Sequence, residues 1–226
     1  MQLLSKIATA VALTASLGAA QAANLVMNGS FESGLSGWTI GGTDLQGYPP
    51  VAITYNSASA YPVGAFGEAI PVNNAFTNSP DAAGTRAAYF VSDITVDQSL
   101  SQMITVTSAG LYQIGFSAYA PANGYANFYD AEFSGVIASV MLADYAVSEG
   151  PKTTWQTFAG STNLAVGSYK VEFVFDTDAY PAKDIVIDQV YVIAGNPPLE
   201  VPEPGTLAVL GLGLLAMGAV RRRRQA

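Results

Sequence analysis

The sequence predicts an all-β protein, a two-layer antiparallel β-sandwich flanked by an export signal and a hydrophobic tail. Three observations carry the prediction. Apolar residues in the body of the chain alternate at a period of two, no stretch repeats at amphipathic helical spacing, and Gly, Ser, Thr, Tyr, Val and Phe dominate between short turn-forming clusters. Each strand of that kind has one apolar face to bury, and two stacked sheets bury all of them.

At the N-terminus, Lys6 precedes an apolar stretch from Ile7 to Leu17, and Ala20-Gln21-Ala22 places small residues at alternate positions, as a signal peptidase requires. Residues 1–23 therefore read as a signal peptide, with the mature chain beginning near Ala23 or Asn24. A buried N-terminal helix is a poor alternative, because it would lack a polar face and run into Ala19-Ala20-Gln21-Ala22-Ala23.

The body, residues 24–195, is one domain. Strands are expected at Trp38–Ile40, Val51–Tyr55, Ala87–Val91, Ser101–Thr107, Leu111–Tyr119, Glu132–Leu142, Thr153–Phe158, Ser168–Phe175 and Asp184–Ile193. Tyr112, Ile114, Phe116 and Ala118 share one face of the fifth. In the eighth, Tyr169, Val171, Phe173 and Phe175 oppose Lys170 and Glu172. Ser108-Ala109-Gly110 is expected to be a hairpin connection between the fourth and fifth strands. Residues 41–83 lack regular pattern and predict long loops with room for one edge strand. Trp38 and Trp155 sit at predicted strands and read as core rings.

Beyond the body, residues 196–204 form a Pro-rich extended linker. Residues 205–226 hold an apolar run from Thr206 to Val220 followed by Arg221, Arg222, Arg223 and Arg224. As a helix the run spans about 22 Å, short of the roughly 30 Å hydrocarbon core. Its glycines lower its hydrophobicity, which suits a transient stop-transfer helix, and the arginines stay on the cytoplasmic side.

Composition excludes several chemistries. Cys and His are absent, which removes thiolate nucleophiles, disulfides, serine–histidine triads and the usual zinc or copper ligands. Between Asn24 and Glu200 sixteen acidic residues face only Arg86, Lys152, Lys170 and Lys183, so nucleic acid and anionic lipid are poor partners. Hard, oxygen-bound metals remain, and a calcium ion could staple an exported domain that has no disulfide.

Carboxylate pairs are the catalytic apparatus left: Asp130 with Glu132, Asp176 with Asp178, and Asp184 with Asp188. A glycoside hydrolase needs its two carboxyls opposed across a cleft, whereas Asp130 and Glu132 lie side by side on one strand face and Asp176 and Asp178 flank a turn. The expectation is no enzyme. The segment Tyr119–Asp130 is the candidate binding stretch, because Tyr125, Asn127 and Tyr129 combine rings that stack on sugars with groups that hydrogen-bond hydroxyls. The competing reading packs Phe128 and one tyrosine under the loop. Asn28-Gly29-Ser30 matches a glycosylation pattern but reads as a tight turn.

Two resemblances follow from these motifs. Pro202-Glu203-Pro204, the Gly/Leu-rich span and the terminal arginine cluster resemble the PEP-CTERM sorting signal of Gram-negative bacteria. That resemblance implies an exosortase-like processing enzyme as partner, passage through the inner membrane, and delivery to the cell surface or extracellular matrix. The stretch Asn24–Glu32 with Gly37-Trp38, and the closing Asp184–Val192, resemble the opening and closing strands of galactose-binding-like jelly-roll domains, a class that contains carbohydrate-binding modules. The second resemblance implies a structural calcium held by Glu32 and Asp188, the alternative being carboxylates hydrogen-bonded to loop amides. The residues themselves leave the orientation of Asp188 open: it is inward if Val186, Val190 and Val192 face the core, and exposed if Ile185, Ile187 and Tyr191 do.

Three functions follow: an exported, non-catalytic surface or matrix protein that binds or organises exopolysaccharide; a structural surface protein with no sugar site; and a small secreted hydrolase using a carboxylate pair.

Overall fold

Ten strands occur in the computed structural model, which describes residues 22–44, 49–73, 77–92 and 96–195. They are β1 (Thr39–Asp44), β2 (Val51–Thr54), β3 (Arg86–Phe90), β4 (Val96–Val106), β5 (Gly110–Tyr119), β6 (Glu132–Ile137), β7 (Val140–Ala146), β8 (Gln156–Leu164), β9 (Gly167–Thr177) and β10 (Ile185–Ala194). One helical turn, α1 (Ala122–Tyr125), and a 3-10 turn at Val147–Glu149 complete the regular structure. Residues 1–21 of the signal peptide, the linker and the expected hydrophobic helix with its arginines lie outside the described residues.

The strands form two five-stranded antiparallel sheets, ordered β1-β4-β9-β6-β7 and β2-β3-β10-β5-β8. Between them lies the main core, in which Phe116, Phe133 and Phe173 meet at ring separations of 4.9 to 6.2 Å, with Trp38 and Phe175 at its margin. The alternation read from β5 and β9 is what builds it: Tyr112, Ile114, Phe116 and Ala118 point in, as do Val171, Phe173 and Phe175. Lys170 and Glu172 point out and pair with each other.

Two connections differ from the sequence expectation. Ser108-Ala109-Gly110 does not close a hairpin; β4 and β5 belong to different sheets, so the turn carries the chain across the sandwich. A three-residue connection suits either geometry, and pairing with distant segments decides between them: β4 takes β1 and β9, and β5 takes β8 and β10. The expected strand Glu132–Leu142 is a hairpin instead. Ala138 and Ser139 both take positive φ, at 49° and 68°, which is the two-residue turn matched to strand twist. Neither residue carries the usual Asn or Gly signature of that turn, so the break was invisible in the sequence.

The two sheets are not equivalent. The outer face of β2-β3-β10-β5-β8 is covered by the long segments around β2, with Ile53, Tyr55, Ala65, Ile70, Tyr89, Tyr119, Trp155 and Val186 forming a second buried cluster. The outer face of the other sheet bears Ser99, Ser101, Ser134, Val136, Glu172 and Val174, none of them buried. Both tryptophans are core rings, as their strand positions suggested; Trp38 donates to Asn28 O and Trp155 to Pro71 O. Asn28-Gly29-Ser30 is a turn, with Phe31 N donating to Asn28 O and the Asn28 side chain holding Gly34 O, Ser36 O and Ser33 N.

At β10 both readings of its faces apply, each to half of the strand. Ile185 and Ile187 enter the main core, Gln189 takes a positive φ of 52° and shifts the register against β5, and Val190 and Val192 then enter the same core. A bulge of this kind inserts one residue and reverses which parity faces in. Asp188 consequently lies on the covered outer face beside Val186, fully buried.

Candidate functional site

The loop between β5 and β6 and the loop between β9 and β10 meet at one end of the sandwich. Tyr129 N donates to Pro181 O and Lys183 N donates to Tyr129 O, so the two loops run side by side. Beside this junction opens a cleft of about 230 Å³ lined by Tyr129, Asp130, Glu132, Asp176 and Asp178 with Ala131 and Ala179. Asp130 is fixed at its rim by amide donors, with Oδ1 accepting from Ala131 N and Ser148 N at 3.0 Å each.

The strands set the carboxylates. Asp176 stands opposite Asp97 on β4 and opposite Glu132 on β6, which puts three acids in one cross-strand row. Like charges so placed repel. Partial burial and then the charges of Asp97 and Asp178 push the Asp176 carboxyl above its usual range.

The three expected sugar-contacting residues separate. Tyr129 is in the cleft and 46% exposed. Tyr125 is half-buried, donates to Ser148 O, and has its ring covered by Lys152 at 4.2 Å and Lys183 at 5.5 Å. Those cations occupy the π-face that a sugar would stack on. Asn127 donates to Ala182 O at 2.6 Å and borders a second hollow of about 340 Å³ with Phe66, Asn123, Gly124 and Pro181. The tyrosine packed under the loop is thus Tyr125. Phe128, read as its companion there, stands 87% exposed, edge-on to Tyr129 at 5.6 Å. Tyr180, adjoining the lining residue Ala179, is 58% exposed. Sequence reading missed Phe128 and Tyr180 as surface rings and Asp176 and Asp178 as neighbours of Tyr129. The dipeptide Tyr180-Pro181 in a turn between two strands was the one available signal.

Glu32 and Asp188 lie in different settings. Glu32 Oε1 accepts from Thr85 N and Arg86 N at 2.7 Å, and Oε2 from Thr85 Oγ1 at 3.1 Å. Asp188 Oδ2 accepts from the Tyr55 hydroxyl, while Oδ1, like Oγ of its cross-strand neighbour Ser117, has no partner among the described residues. Burial pushes the Asp188 carboxyl well above the usual carboxylate range, against the pull of the Tyr55 hydroxyl, the Gln189 amide and the Asn73 side chain, and the Glu32 charge adds a little to the rise. Burial and the Asp188 charge push the Tyr55 hydroxyl up in turn. Oxygen donors of this kind suit a hard cation in chemistry, and Asp188 Oδ1 is open to one, whereas both Glu32 oxygens already accept from amides and a hydroxyl. Further ligands would have to be main-chain carbonyls or water, because no group of three or more acidic side chains converges as a metal cage among the described residues. The other acid of the expected pair, Asp184, is also fully buried and takes the Tyr89 hydroxyl at 2.6 Å, so the two do not flank an open cleft.

Comparison with known proteins adds the tail. Residues 200–224 match the PEP-CTERM protein-sorting motif, which includes Pro202, Glu203, Pro204 and the four arginines and indicates an exported protein. No curated protein sequence matches the chain. Similar solved structures include TmCBM61 in complex with beta-1,4-galactotriose, at 17% identity over 76% of this chain and 99% of that one, with a TM-score of 0.47. Family 16 Carbohydrate Binding Module-2 is similar at 16% identity over 75% and 99%, TM-score 0.42. The K1 cleaved adhesin domain of Lys-gingipain from Porphyromonas gingivalis W83 is similar at 16% over 74% and 96%, TM-score 0.45.

Proposed function

We propose that this is an exported, non-catalytic cell-surface or matrix protein that binds or organises exopolysaccharide through the cleft beside Tyr129. The observation that carries the reading is the exposed Tyr129 ring in a carboxylate-lined opening, with the exposed Phe128 ring standing edge-on against it. Rings of this kind stack on the apolar faces of sugars, and carboxylates accept hydrogen bonds from hydroxyls. The position of the cleft supports display. It lies where β9 passes to β10, and the chain leaves for its sorting tail from the other end of β10, ten residues and about 33 Å away. In this reading an exosortase-like enzyme processes the tail after the inner membrane has held it in transit. A structural calcium ion on Asp188 and Glu32 belongs to the same proposal, as the counter-charge to two neighbouring acids.

Electrophoresis of the mature exported protein through gels containing polysaccharide tests the binding. Tyr129→Ala is expected to weaken retardation by about tenfold or more, the loss of one stacking ring. Tyr125→Ala, whose ring is already covered by lysines, is expected to leave retardation unchanged. Equal mobility with and without every polysaccharide offered would refute the proposal. Release of reducing sugar, abolished in Asp130→Ala, would replace it with a hydrolase.

A further inference from the structure

The hollow of about 340 Å³ bordered by Asn127 adjoins the Tyr129 cleft and differs from it in chemistry. The cleft carries four carboxylates, whereas the hollow is lined by Phe66, Asn123, Gly124, Asn127 and Pro181, with no charge among the described residues. Two segments run from one opening to the other. Asn127 and Tyr129 are two residues apart on the β5–β6 loop, and Pro181 and Ala179 are two apart on the β9–β10 loop, so the linings approach within about 7 Å along either segment. Phe128, between Asn127 and Tyr129 in the chain, is exposed. Long-range contacts hold the Phe66 wall. Asn123 Nδ2 donates to Phe66 O at 3.0 Å and Asn123 N donates to Glu68 Oε2 at 2.8 Å, which ties the segment between β2 and β3 to the β5–β6 loop. Phe66 takes a φ of 44°, in the left-handed region that a bulky side chain rarely enters. Strain of that kind persists where the surroundings enforce it, and it gathers at ligand sites.

We infer that this hollow is a second subsite for the polysaccharide held at the Tyr129 cleft, so that the protein takes an extended, neutral glycan chain lying across Phe128. The inference rests on the binding proposed for that cleft. Phe66 presents an exposed ring, with Tyr61 beside it at 5.6 Å, and such a ring covers the apolar face of a sugar. Asn123 and Asn127 each give one N–H to a main-chain carbonyl, Phe66 O and Ala182 O, which leaves a second N–H and the side-chain oxygen on each. Paired donors and acceptors of that kind match hydroxyls, which do both. Charge selects the class of glycan. The described lining of the hollow offers nothing to pair with an anionic sugar, and the carboxylates of the cleft, on a stretch from Asn24 to Glu200 with sixteen acids and four bases, repel one. Lys183, whose Nζ donates to Asn127 O, lies over the Tyr125 ring instead of lining the hollow.

Isothermal titration of the mature exported protein tests this, with neutral oligosaccharides cut from a β-glucan, a galactan, a mannan and a xylan and sized from about two to about eight units, and with alginate as the anionic probe. Affinity for the neutral chain that binds is expected to rise about tenfold or more from the shortest to the longest, because added units reach new contacts until both openings are filled. Phe66→Ala is expected to remove most of that rise, about fivefold to tenfold, with its far-ultraviolet spectrum and Tm kept, whereas Tyr129→Ala weakens short and long chains alike. Hydrogen exchange on the wild type needs no variant: amides of residues 64–68 and 122–127 gain protection with the long chain, together with those around Tyr129. Affinity independent of length, a folded Phe66→Ala protein that keeps the whole rise, protection confined to the Tyr129 side, or tighter binding to alginate than to every neutral chain would each overturn the second subsite. In each of these cases weaker binding by Tyr129→Ala would leave the cleft proposal standing, so the two failures are told apart; no binding to any probe would refute both.

Discussion

Replacing Tyr55 by Phe deletes one oxygen and keeps the ring, so the change isolates the hydroxyl that Asp188 depends on. Tyr55 and Asp188 are both buried, and the ring also packs edge-on against Trp155 at 5.9 Å, a contact that Phe retains. The variant removes the Tyr55 donor from Asp188 Oδ2 and leaves only the Gln189 amide and the Asn73 side chain to support the carboxylate. A buried acceptor stripped of its donor costs about 1 to 3 kcal/mol, more if the group is charged. For a domain of this size that lowers Tm by about 3 to 10 °C. The decisive assay is a thermal double-mutant cycle with Asp188→Asn, followed by circular dichroism. If the hydroxyl acts through the carboxylate, Tyr55→Phe costs at least about 1 kcal/mol less in the Asp188→Asn background than alone. Additive losses, or a Tm change under about 1 °C in Tyr55→Phe, would refute the coupling.

Three further outcomes follow from the same geometry. Chelation of the mature protein is expected to lower its Tm, and added calcium to restore it, if a cation neutralises Asp188 and Glu32; an unchanged Tm would remove calcium from the account. Asp176→Asn is expected to raise Tm by about 1 to 2 °C at neutral pH, since the site is exposed and screened. The sign follows from the raised carboxyl: a group held above its unfolded value favours the folded state at low pH and loses that contribution as pH rises through the folded value. The gain should therefore vanish near about pH 3, and a gain there as large as at about pH 7 would contradict the cross-strand repulsion. Gly124→Ala is expected to cost about 2 kcal/mol or more, because α1 presses Gly124 onto the Asp184 carboxylate with no room for a methyl group; a Tm within about a degree of wild type would show that the helix turn can shift.

Much of the sandwich was legible because its strands are half-buried and their side chains therefore alternate. The in-pointing sets of β5 and β9 were readable residue by residue. β8 was seen only at its start, since Gly160 to Asn163 carry no apolar signal on an edge strand whose outer residues meet solvent. The candidate site was half legible. Tyr129 was named, while Tyr125 proved to be a lysine-covered packing ring and Phe128 a surface one, because a run of alternating rings and small residues in a loop has no periodicity to say which ring turns inward.

By itself the sequence determined the all-β class, the address written in the tail, and the absence of thiol and imidazole chemistry, since composition and local alternation depend on the chain alone. Only the tertiary structure decided which strands share a sheet, that a bulge at Gln189 turns Asp188 onto the covered outer face, and that Asp97, Glu132, Asp176 and Tyr129 gather at one end. Each of these rests on pairing between distant segments, and the free energy that selects a pairing comes from burying both faces at once, which no window of sequence contains.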